Sequence, residues 1–569
     1  MENSYRNYKG TSRDGRNRRG SGRNTRNVNR APRRRRKNYS KIFRFIVVGI
    51  VVVLVAGYTY GAIYYKSHFL KGTIINGIDV SGMTLEELES TIKSYDITVR
   101  ERGAGDKEVY VEKLAGKDIG IEIVSDSGLE EIMEEQGVLK WFTKSGQEYT
   151  KETLITYDVE LFEERIKGLK GFNNEFAAKP TDAKISEYNT QTGYEIIPET
   201  KGNFLDLNRT IEVLEGAVSD LKEEVDLDYE GCYLEPSVDA GNKDLNKLLN
   251  AMNKMVKTQI TYDFDGTKEV VDGTKIAEWM AIDGYSVSID RQKVSEYVAT
   301  LRKKYDTIFR PRTFQTSYGK TVTIKKGDYG WWMNYEKETD ELKAQIEEGK
   351  SGERTPVYYQ TAAQYGSKDY GDTYVEINLT AQHLFVYKDG KKVLESDFVS
   401  GNTSQKMGTP AGVYGITYKE RYGFLVGETY ESTVSYWMPF NGDIGLHDAI
   451  WKTQFGSNFY QTDGSHGCIN LPYLVAKQIY SLVEKGTPVI CYRLKGTESD
   501  SVTIQSYQEI ANGAIEAIDA IGEVTKDSKE EIDTARYMYD KIGVKAQPYV
   551  TNYQVLTNAE QEYKKLTKE

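Results

Sequence analysis

Cysteine and histidine are scarce in this chain, whose 569 residues include three cysteines and four histidines. Three cysteines exclude a disulfide framework as the basis of the fold. The sequence contains neither a CxxC pair nor an HExxH motif, so a zinc site of those kinds is not predicted. At this length the chain is expected to form about three or four domains, each with enough residues for a core of its own.

The N-terminal segment, residues 1–44, has almost no apolar side chains over its first forty positions. It is rich in Arg, Asn and Gly, and its charge over residues 1–41 is about +13, which leaves about −23 for the rest of the chain. A segment of this composition cannot bury enough apolar surface to fold, so we predict disorder. Taken alone, the basic run Arg33–Lys37 would also suit binding to nucleic acid.

Residues 45–65 change that interpretation, because they form an uncharged apolar run between Arg44 and Lys66. The run is long enough to cross about 30 Å of hydrocarbon, and it exceeds the apolar region of a typical signal peptide. Basic residues before a first span hold that side in the cytoplasm and attract anionic lipid. We therefore predict a single-pass cell-membrane protein with a cytoplasmic N-terminus, an extracellular remainder and no nucleic-acid partner.

A histidine–cysteine cluster marks the candidate active site. Residues 464–472 read Gly-Ser-His-Gly-Cys-Ile-Asn-Leu-Pro, and His447 lies upstream in Gly-Leu-His-Asp-Ala. Pro472 and the apolar spacing after it predict a helix that starts close to Cys468. A helix N-terminus and a nearby imidazolium both favour the thiolate, which is the nucleophilic form of cysteine.

The residues alone leave two other interpretations of the cluster open. A lone cysteine is most often a small buried hydrophobic side chain, although the flanking glycine disfavours a packed core position for Cys468. Alternatively, His447, His466 and Cys468 could supply three zinc ligands, as in open catalytic sites. The remaining cysteines, Cys232 and Cys491, are predicted to be structural.

The spacing between His447 and the segment Ser465–Asn470 resembles the signature of the L,D-transpeptidase catalytic domain (YkuD-like), a cysteine acyltransferase of bacterial cell walls. Residues 375–379, 383–387, 400–401 and 409–414 resemble segments that precede this signature in the same domain. Asp448 departs from the pattern, because many members carry Gly or Ser after the histidine. That departure leaves the orientation of His447 open.

We expect two-step acyl transfer at this site. Cys468 is the expected nucleophile and His447 the general base, with His466 as a supporting or alternative base. Backbone N–H groups at Gly467 and Cys468, together with the Ser465 hydroxyl, are expected to form the oxyanion site. No cofactor and no metal are expected.

The resemblance, and not the spacing, supplies the substrate. It implies that a peptidoglycan tetrapeptide stem is the acyl donor, cleaved between its third residue and the terminal D-alanine. A neighbouring stem is the acceptor, joined through its third-residue amine as a 3→3 cross-link in cell wall biogenesis. The resemblance also implies that carbapenems acylate Cys468.

Two alternative functions are kept. An L,D-carboxypeptidase that hydrolyses the same stems would use every residue named above and differ only in whether the acceptor site excludes water. A non-catalytic wall-binding scaffold is the other, and the intact set of His447, His466 and Cys468 disfavours it.

The predicted fold class is multidomain α+β, because short strands alternate with amphipathic helices over most of the chain. Residues 260–266 resemble residues 97–103, which indicates a duplicated unit. The opening segment of the first copy, residues 72–84, resembles the start of the peptidoglycan-binding-like domains that precede this catalytic domain in Gram-positive proteins. Wall binding and simple spacing are both open as roles for this unit. The predicted segments are a disordered basic cytoplasmic tail, 1–44; a transmembrane helix, 45–65; two repeated α+β domains, 72–238 and 239–365; a mostly β L,D-transpeptidase catalytic domain, 372–493; and a helical bundle for wall or partner contact, 500–569.

Overall fold

The computed structural model describes residues 39–104, 108–151, 153–427 and 430–568. The disorder predicted for residues 1–38 lies outside these ranges. The described residues form thirteen α-helices. These are α1 (Tyr39–Tyr64), α2 (Leu85–Lys93), α3 (Leu129–Gln136), α4 (Val159–Lys167), α5 (Leu207–Ser219), α6 (Lys243–Val256), α7 (Gly273–Trp279), α8 (Arg291–Tyr305), α9 (Tyr335–Glu347), α10 (Tyr473–Leu482), α11 (Tyr507–Asp519), α12 (Lys529–Lys541) and α13 (Tyr553–Thr567).

The strands fall into three groups along the chain. The first group comprises β1 (Ile74–Ile75), β2 (Ile78–Asp79), β3 (Asp96–Arg102), β4 (Val109–Ala115), β5 (Glu122–Ile123), β6 (Glu148–Tyr149), β7 (Ile155–Thr156), β8 (Lys184–Ile185), β9 (Ile196–Ile197) and β10 (Glu224–Asp226). The second comprises β11 (Ile260–Phe264), β12 (Thr267–Val271), β13 (Met280–Asp283), β14 (Ser286–Ile289), β15 (Arg312–Gln315), β16 (Thr321–Ile324), β17 (Trp332–Met333), β18 (Gly352–Arg354) and β19 (Tyr358–Gln360). The third comprises β20 (Tyr374–Asn378), β21 (His383–Lys388), β22 (Lys391–Asp397), β23 (Gly412–Gly415), β24 (Glu420–Gly427), β25 (Tyr430–Asn441), β26 (Ile444–Asp448), β27 (Gln454–Gly456), β28 (Ile469–Leu471), β29 (Pro488–Tyr492) and β30 (Val502–Ile504).

Helix α1 contains the apolar run that was predicted to span a membrane. Its hydropathy and length are sufficient for a crossing, and its apolar side chains are exposed over residues 42–55. The helix begins at Tyr39, so the last residues of the segment predicted as disordered are helical. Lys and Arg are good helix formers, which is consistent with a helix that extends past its apolar run at this end.

The chain divides into two compact units. The first contains the residues before Thr181 together with Lys201–Glu235, and the second contains Thr181–Thr200 and the residues from Pro236 onward. The segment Thr181–Thr200 was predicted to belong to the first repeated domain. It belongs to the second unit because Tyr194 packs in that unit's core and its N–H donates to Asn253 Oδ1 (2.9 Å).

The two α+β regions that were predicted to be repeats share one sheet topology. In the first, the antiparallel pair β3–β4 is extended by β10, which is parallel to β3 and follows helix α5. In the second, the antiparallel pair β11–β12 is extended by β18, which is parallel to β11 and follows helix α9. The mixed α+β fold class is therefore confirmed.

The third strand group forms two larger sheets. One has the order β22–β21–β20–β29–β23, and the other has the order β24–β25–β26–β28. Cys491 lies in β29 and is fully buried, and His383 on β21 is bonded to Asp397 (Nδ1–Oδ1 2.6 Å), so both have structural surroundings. The pair β26–β28 is parallel and carries the candidate active site.

The C-terminal helices share a core with these sheets. A helical bundle was predicted over residues 500–569, and helices α11, α12 and α13 lie in that region. Residues 502–504 form strand β30 against β27 rather than the start of a helix. Buried side chains of all three helices belong to one hydrophobic cluster with the sheet residues, for example Ile518, Met538, Leu556, Leu446 and Ile469.

Candidate active site

Cys468 lies immediately before strand β28, which pairs with the strand that carries His447. In this parallel pair, Leu446 lies opposite Ile469 and His447 lies opposite Asn470. The helix predicted to start near Cys468 is α10, which begins only at Tyr473, after the strand. The expected effect of a helix N-terminus on the thiol is therefore absent, because a helix dipole acts only within its first turn.

The segments resembling earlier blocks of the family hold the cysteine loop. Asn470 and Val399 exchange backbone hydrogen bonds (2.9 and 3.0 Å), and the Ser465 N–H donates to the Ser400 carbonyl (3.1 Å). The buried Thr409 hydroxyl donates to the Gly467 carbonyl (2.6 Å) and accepts from the Gly401 N–H (3.0 Å). These bonds fix the loop on both sides of Cys468.

Two glycines are required by this close approach of segments. Gly467 has φ of +136°, a conformation that side-chain-bearing residues rarely adopt. A Cβ on Gly401 would lie 2.0 Å from the Met407 carbonyl oxygen and 2.9 Å from the Gly467 Cα. The small residues around Cys468 therefore have a geometric cause.

The backbone orients His447. Its Nδ1 lies 2.8 Å from the Asp448 carbonyl oxygen, which can only accept, so Nδ1 carries the proton and Nε2 has the free lone pair. The Asp448 carboxylate does not take part; its Oδ1 accepts from the Tyr436 N–H (2.8 Å). The unusual Asp448 therefore does not change the orientation of His447, because residue 448 offers its backbone carbonyl whatever its side chain.

Burial keeps Cys468 and His447 neutral. Cys468 is 7% exposed and His447 is 3% exposed. Removal from water raises the pKa of the Cys468 thiol to about 11 and lowers the pKa of His447 to about 4. At neutral pH the structure therefore holds a thiol and a neutral imidazole, and not the thiolate–imidazolium pair expected from the sequence.

Ser465 and Gly467, predicted as parts of an oxyanion site, are bonded within the loop. The Ser465 hydroxyl donates to the Cys468 carbonyl (2.6 Å), and the Gly467 N–H donates to Ser465 Oγ (3.0 Å). The Thr409 hydroxyl holds the carbonyl of the peptide whose N–H belongs to Cys468. Because that peptide plane is fixed, the direction of the Cys468 N–H is fixed as well.

A cavity of about 290 Å³ joins the predicted residues. Cys468, His447, His466 and Ser465 all line it, and His466 is exposed. A larger concavity of about 610 Å³ lies elsewhere, around Phe264 and Lys304, but neither cysteine nor histidine lines it. The chemistry of the lining residues therefore favours the smaller cavity as the reactive site.

Hairpin β24–β25 covers the cysteine. Leu425, Val434 and Trp437 form a small apolar cluster with Cys468. The Trp437 ring centroid lies 5.8 Å from that of His447, and Trp451 lies 6.0 Å away on another segment. The aromatic run 436–440 on β25 is mainly buried packing.

Sequence reasoning missed several groups at this site. Asn470 lines the cavity with a buried Oδ1 that has no hydrogen-bond partner within the described part of the chain. Thr409 was noted only as part of a resembling block, and Lys541 was assigned to a separate bundle although it lines the cavity. Only the Ser-His-Gly-Cys-Ile-Asn spacing gave a signal for Asn470, and no local signal marked Lys541.

Replacing His447 with alanine should change the pH dependence of acylation. With the histidine present, a neutral base is available above about pH 4, so the rate of Cys468 acylation by a carbapenem should be nearly flat from pH 6 to 9. Without it, reaction depends on thiolate, whose pKa is about 11, so the rate should drop by about 10²- to 10⁴-fold at neutral pH and rise about tenfold per pH unit. Stopped-flow kinetics measures both profiles.

The matched variant is His466→Ala, which should slow acylation without producing that steep pH dependence. A flat, wild-type profile for His447→Ala would transfer the base role to His466 or to solvent.

Replacing Thr409 with valine should impair the site without touching the nucleophile. The variant keeps the side-chain shape but leaves the buried Gly467 carbonyl and Gly401 N–H without the hydroxyl. If the Cys468 N–H is an oxyanion donor, its misalignment should lower the acylation rate by roughly 10²-fold. Carbapenem acylation should fall by up to that amount in Thr409→Val and recover in Thr409→Ser, and equal rates in all three proteins would contradict the positioning role.

Two family models match the chain. The L,D-transpeptidase catalytic domain, YkuD, matches residues 372–491, and a putative peptidoglycan binding domain matches residues 241–354. A comparison with curated proteins gives no match.

Three solved structures show the extent of the similarity. The crystal structure of a cysteine-to-serine mutant of Enterococcus faecium L,D-transpeptidase is 36% identical in sequence. The match covers 43% of this chain and 100% of the E. faecium chain, with a TM-score of 0.37. The NMR structure of the E. faecium catalytic domain acylated by ertapenem is 45% identical in sequence. That match covers 21% of this chain and 98% of the catalytic-domain chain, with a TM-score of 0.20. An L,D-transpeptidase from Mycobacterium smegmatis is 25% identical in sequence. Its match covers 21% of this chain and 58% of the M. smegmatis chain, with a TM-score of 0.19.

The catalytic-domain match includes the His447 and Cys468 strands, and the 36% identity extends over the whole length of the first E. faecium chain. The prediction of a YkuD-like catalytic domain preceded by a peptidoglycan-binding domain is thereby confirmed. This chain belongs to the L,D-transpeptidase family.

Proposed function

We propose that this enzyme forms 3→3 peptidoglycan cross-links through a thioester on Cys468. The observation that carries the proposal is the shared cavity of Cys468 and His447, with the unprotonated Nε2 of His447 available as a base. Peptidoglycan as the substrate is supported by the two matched domains.

In the first step, His447 Nε2 accepts the thiol proton while Cys468 Sγ attacks the carbonyl carbon of the stem's third residue. The C–N bond to the terminal D-alanine breaks, and the proton held by His447 passes to the leaving amine. The products are a thioester on Cys468 and free D-alanine. Proton transfer in concert with attack suits a pair that is neutral at rest, because no separate charge must form in the buried site.

The transient oxyanion needs a donor, and we assign this role to the Cys468 N–H. Thr409 supports the assignment by fixing the peptide that carries this N–H, and Ser465 and Gly467 brace the adjacent loop. In this assignment the Ser465 hydroxyl and the Gly467 N–H position the oxyanion donor and do not contact the substrate.

In the second step, the third-residue amine of a neighbouring stem attacks the thioester carbonyl. The C–S bond breaks, the new C–N bond forms the cross-link, and the amine proton returns through His447 to Cys468 Sγ. Water in place of the amine would give an L,D-carboxypeptidase with the same acyl-enzyme.

Carbapenem acylation of Cys468 is part of the proposal. It is supported by the E. faecium catalytic domain whose structure was determined acylated by ertapenem and which is 45% identical to this chain.

We place the enzyme in the cell membrane through α1, with the N-terminus in the cytoplasm and the catalytic domain outside, facing the wall. The helix has the length and hydropathy of a span, and positive charge precedes it. Peptidoglycan-binding residues 241–354 would then hold the enzyme near its substrate.

Cys468→Ala should abolish both thioester formation and turnover, because a thioester needs the sulfur that Cys468 brings to the cavity. Mass spectrometry of the protein incubated with tetrapeptide stems would show the acyl adduct, and analysis of the peptides would show a cross-linked dimer for a transpeptidase or a tripeptide for a carboxypeptidase. Cys232→Ala and Cys491→Ala are the controls, since both cysteines are buried in cores and are expected to affect stability only. An adduct that persists in Cys468→Ala, or a tripeptide as the sole product of the wild type, would contradict the proposal.

The topology predicts that protease added to wall-stripped cells digests the C-terminal helices while leaving the residues before α1 protected. Epitope tags at both ends of the full chain, followed by immunoblotting, measure this. Protection of the C-terminal tag in intact cells, with digestion after lysis, would place the catalytic domain on the cytoplasmic side.

A further inference from the structure

Helix α12 brings a lysine from outside both family models into the reactive cavity. Lys541, the last residue of α12, lines the cavity that contains Cys468 and His447. The catalytic-domain match ends at residue 491. The cation is therefore an addition of this chain's C-terminal helices to the site.

The position of Lys541 is fixed by packing of α12. Ile532, Ala535 and Met538 anchor the helix in the common core. At its end, the Tyr537 hydroxyl donates to the Glu431 carbonyl of the hairpin that covers Cys468 (3.0 Å). The Lys541 ammonium lies 5.1 Å from the Tyr537 ring centroid.

Helix α11 links the same hairpin to helix α10. The Glu516 carboxylate accepts from the Tyr436 hydroxyl (2.8 Å) and from Lys477 Nζ (2.6 Å), and it lies 3.6 Å from the Arg421 guanidinium. These contacts join α10, β24, β25 and α11. The lysine thus stands on a rigid support, which a binding group requires.

The charge of Lys541 is available to a ligand. The cavity has a second lysine, Lys452, but its Nζ lies 2.5 Å from Asp463 Oδ2 and also donates to the Asp463 carbonyl (2.7 Å). Lys541 forms no ion pair with any carboxylate in the described ranges of the chain. An exposed ammonium beside a nucleophile attracts anionic groups of the substrate.

We propose that the Lys541 ammonium binds the terminal carboxylate of the acyl-donor stem peptide. This inference rests on the proposed function. In that substrate the carboxylate belongs to the leaving residue, so it is separated from the scissile carbonyl by one residue only. A charge-assisted hydrogen bond to it would select stems that end in a free acid and hold the scissile amide against Cys468.

The test compares two donors on the full-length enzyme: a tetrapeptide stem with a free terminal carboxylate and the same peptide with a terminal amide. Single-turnover formation of the Cys468 thioester, followed by intact-protein mass spectrometry, isolates the donor step because no acceptor is added. Wild type should prefer the free acid by about 3- to 10-fold in kcat/KM, as expected for an ion pair open to solvent. High salt should reduce that preference.

Lys541→Gln should bring the ratio of the two rates close to one, mainly by slowing the free acid, and Lys541→Arg should keep most of it. Lys565→Gln on α13 is the charge-matched control and should leave both rates unchanged. Retention of the wild-type ratio in Lys541→Gln would overturn the proposal. Equal slowing of both peptides would overturn it as well, because Lys541 would then only stabilise the hairpin and would not bind the carboxylate. Wild-type enzyme that forms no Cys468 adduct with either peptide would instead refute the proposed function, and the carboxylate assignment with it.

Discussion

The parallel pairing of β26 with β28 is the constraint on which the active site depends. Residues 447 and 468 are too far apart in sequence to be brought together by a local turn. The strand register places His447 opposite Asn470, and His447 and Cys468 then line the same cavity. Both side chains are buried there, so the site holds a neutral thiol and a neutral imidazole. Desolvation outweighs the electrostatic activation that a helix end would have provided.

One backbone carbonyl and one buried hydroxyl supply the orientation in this site. A carbonyl selects the His447 tautomer, and the Thr409 hydroxyl fixes the peptide that carries the Cys468 N–H. Fixed dipoles of this kind need no reorganisation when charge develops, which is how preorganised sites lower barriers. It also follows that Asp448 can replace Gly or Ser without loss of the histidine's orientation.

The C-terminal helices are part of the catalytic unit in structural terms. Their apolar side chains complete a core that begins in the sheets, and Glu516 and Tyr537 bind the hairpin over Cys468. Amphipathic periodicity predicts such helices but gives no information on which surface their apolar face covers. A cation at the cavity is thus a consequence of where the helices pack.

The sequence by itself determined the elements whose signals are local: the apolar helix that begins before Phe45, the α+β alternation, the helical C-terminus, and Cys468, His447 and His466 as candidate site residues. It also predicted a duplication, and the sheets β3–β4–β10 and β11–β12–β18 have the same strand order. Only the tertiary structure decided the protonation of the reacting pair, the engagement of Ser465 and Gly467 within the loop, and the arrival of Lys541 at the cavity. The physical reason is that burial and long-range contacts set pKa values and hydrogen-bond partners, and residue spacing along the chain encodes neither.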